Sequence, residues 1–195
     1  MGRLMVLLMI PVVMSGCAVV AAVSGAAVEG AVYMFKGEEE SFSISMRSVL
    51  VASQRGLKKA DLNVDLLEPV EEGYMIAFGN ENLTGRIELE RQTARLTTME
   101  VNVKSGVMRE DSIERALIAA IRQQAKKAKH SDRFDFRGYK HIHEKPEDAS
   151  RKIGWYRPGA MLDVSHISKP EWLRIKMPSG KDAFLKGVLA ASASK

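Results

Sequence analysis

Residues 83–91 read Leu-Thr-Gly-Arg-Ile-Glu-Leu-Glu-Arg, and this stretch decides the fold class. The apolar residues stand at odd-numbered positions, namely Leu83, Ile87 and Leu89. The acidic residues stand at even-numbered positions, namely Glu88 and Glu90. Because successive side chains of a β-strand point to opposite faces, this alternation predicts a strand with one buried and one solvated face. Such a strand belongs to an antiparallel sheet that is covered on one side.

Strand patterns continue on both sides of this stretch. A run over 63–78 is interrupted by turn residues at 71–73, and a run over 93–104 alternates with a β-bulge expected near 97–98. The runs are joined by short turns, and strands joined in this way pair antiparallel. The sequence therefore predicts three sequential strands in one sheet.

Two amphipathic helices flank these strands. The first follows an alternating segment at Phe42–Ile44 and extends through Lys58, and Gly56 is expected to end or bend it. In the second, Asp111 and Glu114 form a capping box, and a basic last turn suits the helix dipole. The apolar positions at helical spacing are Met46, Val49, Leu50, Leu57, Ile113, Ala116, Leu117, Ala120 and Ile121.

The order β-α-β-β-β-α over residues 35–129 predicts an α+β fold, a two-layer sandwich of an antiparallel sheet and two helices. The 195 residues are 46% hydrophobic and 27% charged, which is typical of a globular protein and excludes a disordered one. A net charge of +5 without a concentrated basic motif argues against nucleic acid as a partner. The chain has a single cysteine, so no disulfide is expected within it.

The N-terminal segment predicts the location of the protein. Arg3 precedes an apolar run at Leu4–Val13, and the small residues of Met14–Gly16 precede Cys17. This pattern resembles a bacterial lipoprotein signal peptide, which implies cleavage after residue 16, lipidation of Cys17 and an Ala/Gly-rich tether over 17–34. In that family an Asp after the cysteine retains the product at the inner membrane. Ala18 stands there, so the resemblance implies the outer membrane, facing the periplasm, in a host with two membranes.

Other interpretations of this segment remain open. It could be an ordinary secretory signal with an unmodified cysteine. The uncharged stretch Leu4–Val28 is also long enough to cross a hydrocarbon core of about 30 Å as an uncleaved helix. Small residues spaced by four would form one helical face and support a homo-oligomer in the membrane, namely Ala18, Ala22, Ala26 and Gly30.

Residues 130–151 are polar and strongly charged and are interpreted as a linker. Within them, His141 and His143 would lie on the same side of an extended chain, with Glu144 adjacent. Two imidazoles and a carboxylate can bind zinc or copper, which makes His141 and His143 weak candidates for metal ligands. The alternative is that both are exposed linker residues without a ligand, and no cofactor is predicted.

Residues 152–190 form a turn-rich β piece, followed by a tail at 191–195. The run Trp172–Lys176 alternates and is followed by a turn at Ser179–Lys181, and these features are similar to a bacterial SH3-like module. Trp155, Tyr156 and Trp172 are candidates for an aromatic platform that binds a peptide or glycan strand. They could equally be the core of this small piece.

The element order and flanks also resemble the DUF3568 family of bacterial lipoproteins. The matching features are the lipobox Met14–Cys17, the small residues up to Tyr33, the phrase Phe35–Gly37 and the helix–sheet–helix body to Lys129. The family has no established function and implies no catalytic residues. We find no nucleophile paired with a base, and we predict a non-catalytic, lipid-anchored envelope protein that binds a protein partner or cell-wall peptide through its C-terminal piece. A periplasmic small-ligand or metal-binding domain is the alternative.

Overall fold

The computed structural model describes residues 36–187, which form two helices and an antiparallel sheet of eleven strands. The predicted α+β class is confirmed. The predicted signal peptide, the lipidation site Cys17, the tether with its Ala18, Ala22, Ala26 and Gly30 face, and the tail lie outside the described residues.

The elements follow one another closely along the chain. In order they are β1 (Glu38–Phe42), α1 (Met46–Lys59), β2 (Asn63–Val70), β3 (Gly73–Gly79), β4 (Thr84–Thr93), β5 (Leu96–Ser105), β6 (Met108–Arg109), α2 (Asp111–Ala125), β7 (Lys140–His143), β8 (Lys152–Tyr156), β9 (Val164–His166), β10 (Trp172–Lys176) and β11 (Asp182–Lys186). The strand order across the sheet is β1-β5-β4-β3-β2-β8-β7-β11-β10-β9, and β6 pairs with β5.

The first core lies between the two helices and the sheet face formed by β2 to β5. Ile87 and Leu89 point into it, as the alternation in residues 83–91 predicted, while Glu88 and Glu90 lie on the other face. Val49 and Leu57 of α1 and Ile121 of α2 are fully buried against these strands. Burial of these side chains is the main favourable term that holds the helices on the sheet.

Helix α1 continues through Gly56 to Lys59, so the expectation that this residue ends the helix is wrong. A Cβ atom on Gly56 would lie 2.6 Å from Ile121 Cγ1 and 3.1 Å from Ile121 Cα. The missing side chain therefore lets α2 pack directly on α1. The cost of glycine inside a helix is offset by this close contact between the two helices.

The predicted capping box at the start of α2 is also wrong. The N-cap residue is Glu110, without a side-chain capping bond, and Glu114 is completely buried instead. Its carboxylate accepts hydrogen bonds from the Arg109 guanidinium, with Nη2 to Oε2 at 2.6 Å, and from the Val103 backbone N–H at 2.9 Å. Because Glu114 faces inward, the buried stripe is rotated from the predicted one: Ile118 is buried and Ala116 is exposed.

Residues 63–78, predicted as one interrupted run, are two separate strands, β2 and β3, which pair across the turn at 71–72. Four full strands thus lie between the helices rather than three. The irregularity expected near 97–98 occurs instead between Arg91 and Thr93 on β4, opposite those residues. The bulge is on the partner strand because β5 keeps its alternation unbroken from Leu96 onward.

The segment 130–151, interpreted as a linker, contributes β7, which lies inside the sheet between β8 and β11. Ile142 is fully buried and joins a second core. The charged residues around Ile142 obscured its inward-facing position in the sequence. The second core is formed by Leu66, Ile142, Tyr156, Leu173, Ile175, Met177, Ala183 and Leu185.

Strand β2 belongs to both cores. Leu67 is buried in the first core and Leu66 in the second. Both residues also pair with β8, Leu66 with Tyr156 and Leu67 with Trp155. The buried Glu68 accepts hydrogen bonds from the Ser179 hydroxyl at 2.6 Å and the Ser179 backbone N–H at 3.0 Å, which joins β2 to the last hairpin.

Candidate binding groove

A groove of about 740 Å³ opens at one end of the sheet, beside the start of α1. Its walls come from the first turn of α1, the start of β3, the β4–β5 turn and the loop after α2. The lining residues are Ser45, Met46, Arg47, Leu50, Tyr74, Arg91, Ala94, His130, Arg133, Phe134 and Phe136. This volume is in the range of clefts that hold small ligands or short peptide segments.

The floor of the groove is apolar. Met46, Leu50 and Phe134 line it and are almost completely buried, because each also packs into or beside the first core. Tyr74 is partly buried against the same core. The floor is thus a continuation of the hydrophobic interior to the surface, where a bound apolar side chain would lose its contact with water.

The rim of the groove is basic. Arg47, Arg91 and Arg133 are exposed, and no Asp or Glu lines the groove. Arg133 donates to the backbone carbonyls of residues 130–132, which holds its side chain over the loop. Within residues 36–187 the side chains of Arg47 and Arg91 form no ion pair or hydrogen bond.

Helix α1 adds to the positive potential. Arg47 stands in its first turn, where a cation is disfavoured by the helix dipole, and the first turn holds no acidic residue that would offset it. Ser45 caps the helix and also lines the groove. The groove therefore combines an apolar floor with uncompensated positive charge, which favours a ligand that carries both carboxylates and apolar groups.

A series of aromatic rings in tilted or edge-on contact, which we call the aromatic row, extends from the groove to β8. Its members are Tyr139, Phe134, Phe136, Trp155 and His141, with neighbouring ring centroids 4.6–5.8 Å apart. Phe136 is 40% exposed. The row thus presents the accessible Phe136 ring at the edge of the groove and supports it with the buried Phe134 and the partly buried Trp155.

The loop that carries this row is held by α1. Gln54 donates to the Asp135 carbonyl at 2.9 Å and accepts from the Asp135 N–H at 2.8 Å, and Arg55 pairs with Asp132 at 2.8 Å. Hydrogen bonds from Arg137 lower the pKa of the exposed Asp135 carboxyl to about 2. The loop position is therefore defined by several polar contacts together with the burial of Phe134 in the first core.

The three predicted platform residues do not share one surface. Trp155 belongs to the aromatic row, whereas Tyr156 points to the opposite face of β8 and lies in the second core. Trp172 is 5% exposed and packs edge-on against His143 at 5.3 Å. Adjacent residues of a strand face opposite ways, which separates Trp155 from Tyr156. Ligand binding by these residues stays a prediction, and of the three Trp155 is next to the groove.

The two candidate metal ligands contact different tryptophans. His141 is exposed and its ring lies tilted against Trp155, with the ring centroids 5.8 Å apart, and His143 is buried against Trp172. Partial burial, Lys152 and His143 lower the pKa of His141. In the part of the chain that the structure describes, no three His, Cys, Asp or Glu residues are grouped so that they could hold a metal ion.

Glu144, the predicted neighbouring carboxylate, is engaged elsewhere. It pairs with Arg151 at 2.9 Å across the turn that joins β7 to β8. Metal binding at His141 and His143 stays a prediction.

A second cleft, of about 590 Å³, lies at the opposite end of the sheet. The cation that lines it is already paired, because Arg157 donates to Asp65 at 2.7 Å, and the other charged lining residues, Asp61 and Glu81, are acidic. Burial raises the pKa of Asp65 more than Arg157 lowers it. Because its cation is neutralised from within, this cleft is a weaker site for a charged ligand than the groove.

The groove residues were not identified from the sequence. Arg47, Arg91 and Arg133 lie far apart in the chain, and only the fold brings them together. Phe134 and Phe136 were available as a signal, since two aromatic residues at alternate positions are unusual in a solvated linker. No known family model matches the chain, and no curated protein matches it. Among residues 36–187, no helix has the length and hydropathy needed to cross a bilayer.

Proposed function

We propose that this protein is a non-catalytic, lipid-anchored envelope protein that binds an acidic, partly apolar peptide segment of a protein partner or of the cell wall. The observation that carries the proposal is the basic groove, in which Arg47, Arg91 and Arg133 surround an apolar floor without any acidic lining residue. A site with this composition recognises carboxylates at its rim and apolar side chains at its base.

The geometry fits an extended segment. Arginine presents a planar fork of donors that matches a carboxylate bidentately, so carboxylates of the ligand would pair with Arg47 and Arg91. An apolar side chain between them would contact Met46 and Leu50, and a further side chain would stack on Phe136. Charge therefore orients the segment, and the buried floor contributes most of the affinity.

The anchor rests on the sequence. The lipobox Met14–Cys17 supports lipidation at Cys17, and the composition of residues 17–34 supports a tether. One fatty chain binds a membrane only reversibly, whereas the two-signal or multi-chain attachment of lipoproteins is stable. The intact mass of the native product tests this part: a Cys17 bearing acyl chains supports it, and an unmodified thiol with the leader retained overturns it.

We also propose a finer description of the fold. Helices α1 and α2 with β1 to β5 correspond to a two-layer α+β unit of the DUF3568 type. Strands β7 to β11 correspond to a small SH3-like piece that extends the same sheet. This description is supported by the two separate cores, one on each side of β2.

Binding measurements on the purified protein test the groove. The probes are a synthetic peptide of alternating glutamate and leucine and, separately, peptide fragments of purified cell wall. Each arginine contact is worth about 0.5–1.5 kcal/mol, so Arg47→Gln combined with Arg91→Gln should weaken binding roughly tenfold or more. High salt should also weaken peptide binding by the unmodified protein, because salt screens the attraction between the arginines and the carboxylates of the ligand.

Arg95 provides a matched control. It is an exposed arginine in the β4–β5 turn, four residues after Arg91, but its side chain does not line the groove. Arg95→Gln should leave the affinity unchanged. Phe136→Ala should weaken binding of apolar peptides more than that of a purely acidic one. Equal effects of the Arg95 and Arg91 substitutions, or no binding of either probe, would refute the groove as the site.

A further inference from the structure

The β5–β6 hairpin has an unusual tip. Gly106 adopts a left-handed conformation with φ of +60°, and the next two residues, Val107 and Met108, are 83% and 69% exposed. Turns normally carry Gly, which adopts the turn conformation without strain, or Asn, Asp and Ser, whose side chains hydrogen-bond to the backbone of the turn. Two adjacent large apolar side chains at such a tip have no partner in the described part of the chain.

The tip projects from the end of the sheet at which the described chain begins. Glu38 of β1 pairs with Val101 of β5, so Lys36 lies beside the last residues of β5, next to the hairpin. Thr84 pairs with Lys104, which places the β3–β4 turn at this same end. We call this the proximal end. The groove lies at the other end of β5, which spans ten residues, or roughly 30 Å.

A third exposed apolar residue lies at the proximal end. Met161 is 76% exposed and borders the second cleft together with residues of the β3–β4 turn. Of the large apolar side chains that are exposed within residues 36–187, Phe136 alone lies at the groove end. The exposed apolar side chains outside the groove are therefore concentrated where the chain arrives from its N-terminal segment.

The hairpin is held rigidly. Arg109, the residue after Met108, pairs with the buried Glu114, and the Glu110 N–H donates to the Val103 carbonyl at 2.9 Å. Lys104 lies three residues before Val107, at the end of the strand that leads into the tip. Exposed apolar side chains close to a cation favour the interface of an anionic bilayer.

The chain between anchor and body is short enough to keep the tip near the membrane. Eighteen residues separate Cys17 from Lys36. The sequence predicts a tether here, and a flexible tether of this length would have a root-mean-square span of roughly 25 Å, which is less than the roughly 30 Å that β5 spans. The proximal end would thus spend its time close to the lipid headgroups, whereas the groove would face away from them.

We propose that Val107 and Met108 insert into the bilayer interface and orient the body with its groove directed away from the membrane. The occupant of this apolar surface is the lipid of the membrane that carries the anchor. This inference rests on the proposed lipid anchor, and it adds a second contact with the same membrane.

The test uses the full-length lipidated protein in vesicles of phosphatidylethanolamine and phosphatidylglycerol. Met108→Cys introduces a thiol for an environment-sensitive fluorophore, and Arg95→Cys provides the matched control in the β4–β5 turn at the opposite end of β5, where residue 95 is exposed and does not line the groove. We expect a blue shift and strong quenching by spin-labelled lipid for the label at position 108, and neither for the label at position 95. Adding Val107→Asp beside the labelled position 108 should abolish the shift.

The outcomes separate the two proposals. An intact mass that shows an unlipidated Cys17 refutes the anchor itself. A lipidated product whose label at position 108 stays in water refutes the insertion while the anchor stands. Equal quenching at positions 95 and 108 also refutes it, since the body would then lie flat on the bilayer. Both labelled positions are exposed, so loss of the fold is not expected, and an unchanged circular dichroism spectrum verifies this.

Discussion

Replacing Glu114 by Gln should destabilise the protein more than any surface substitution on the same helix. Glu114 is completely buried, and the Arg109 side chain with which it pairs is 6% exposed. The carboxylate accepts from Arg109 Nη2 at 2.6 Å and from Nε at 3.0 Å, and also from the backbone N–H groups of Val103 and Glu38. The substitution keeps the shape and removes the negative charge from this position.

The expected magnitude follows from desolvation. Removing one partner of a buried ion pair costs about 3–5 kcal/mol, because the interaction between the two charges is lost in a region of low dielectric constant. For a protein of this size each kcal/mol lowers the Tm by about 2–4 °C. Glu114→Gln should therefore lower the Tm by about 6–20 °C. Arg109→Met should destabilise the protein by a comparable amount, since it leaves the Glu114 carboxylate buried without its arginine partner.

Urea unfolding followed by circular dichroism measures these losses, with an unchanged m-value as the check that both states keep their compactness. The double variant should lose less than the sum of the two single variants, with a coupling of about 0.5–3 kcal/mol. Arg115 is the matched control on α2: it is exposed and pairs with Asp111 and Glu38 at about 3 Å. If Arg115→Gln proves as harmful as Glu114→Gln, the argument from burial is refuted.

Two further predictions concern the helix contact and the loop beside the groove. Gly56→Ala places a Cβ atom within 2.6 Å of Ile121, so overpacking of about 1–3 kcal/mol should exceed the gain in helix propensity of about 1 kcal/mol and lower the urea midpoint. Asp135 should titrate with a pKa of about 2 in a carboxyl NMR experiment, and Arg137→Gln should return this pKa toward 3.8. Because the folded-state pKa is lowered, the contribution of this pair to stability is present above pH 3.8 and is lost as the pH falls through about 2.

Each of these has its own control. Combining Gly56→Ala with Ile121→Ala should be less harmful than the sum of the two, because the added methyl group fills space that the second change vacates. Additive losses would contradict the proposed contact. An ordinary pKa of Asp135 in the unmodified protein would contradict the pairing with Arg137 that positions the loop.

The parts of the fold that could be predicted are those in which one physical requirement dominates. The sequence pattern of β4 fits only one structure, a strand with one buried face. Ile87 and Leu89 alternate there with Glu88 and Glu90. The apolar spacing of α1 likewise has one solution. In such segments local preference and tertiary burial agree, so the sequence pattern is sufficient.

The errors occurred where long-range contacts override the local pattern. Glu114 satisfies the local rule for a capping box, but the approach of Arg109 and the Val103 N–H makes burial of its carboxylate favourable instead. Gly56 satisfies the local rule for a helix end, but contact with Ile121 decides its role. The groove depends on arginines from three separate elements, and the spatial relation of such elements cannot be derived from spacing along the chain.

The double use of β2 also determines how the body unfolds. Leu66 and Leu67 are neighbours in the chain, yet each closes a different hydrophobic core, and β8 takes up the hydrogen bonds of β2 at this point. If the C-terminal strands separated, water would reach Leu66 and an unpaired strand edge would be open to other chains. We therefore expect the helical half and the C-terminal half to unfold as a single cooperative unit. Proteolytic cleavage in either half should destabilise both.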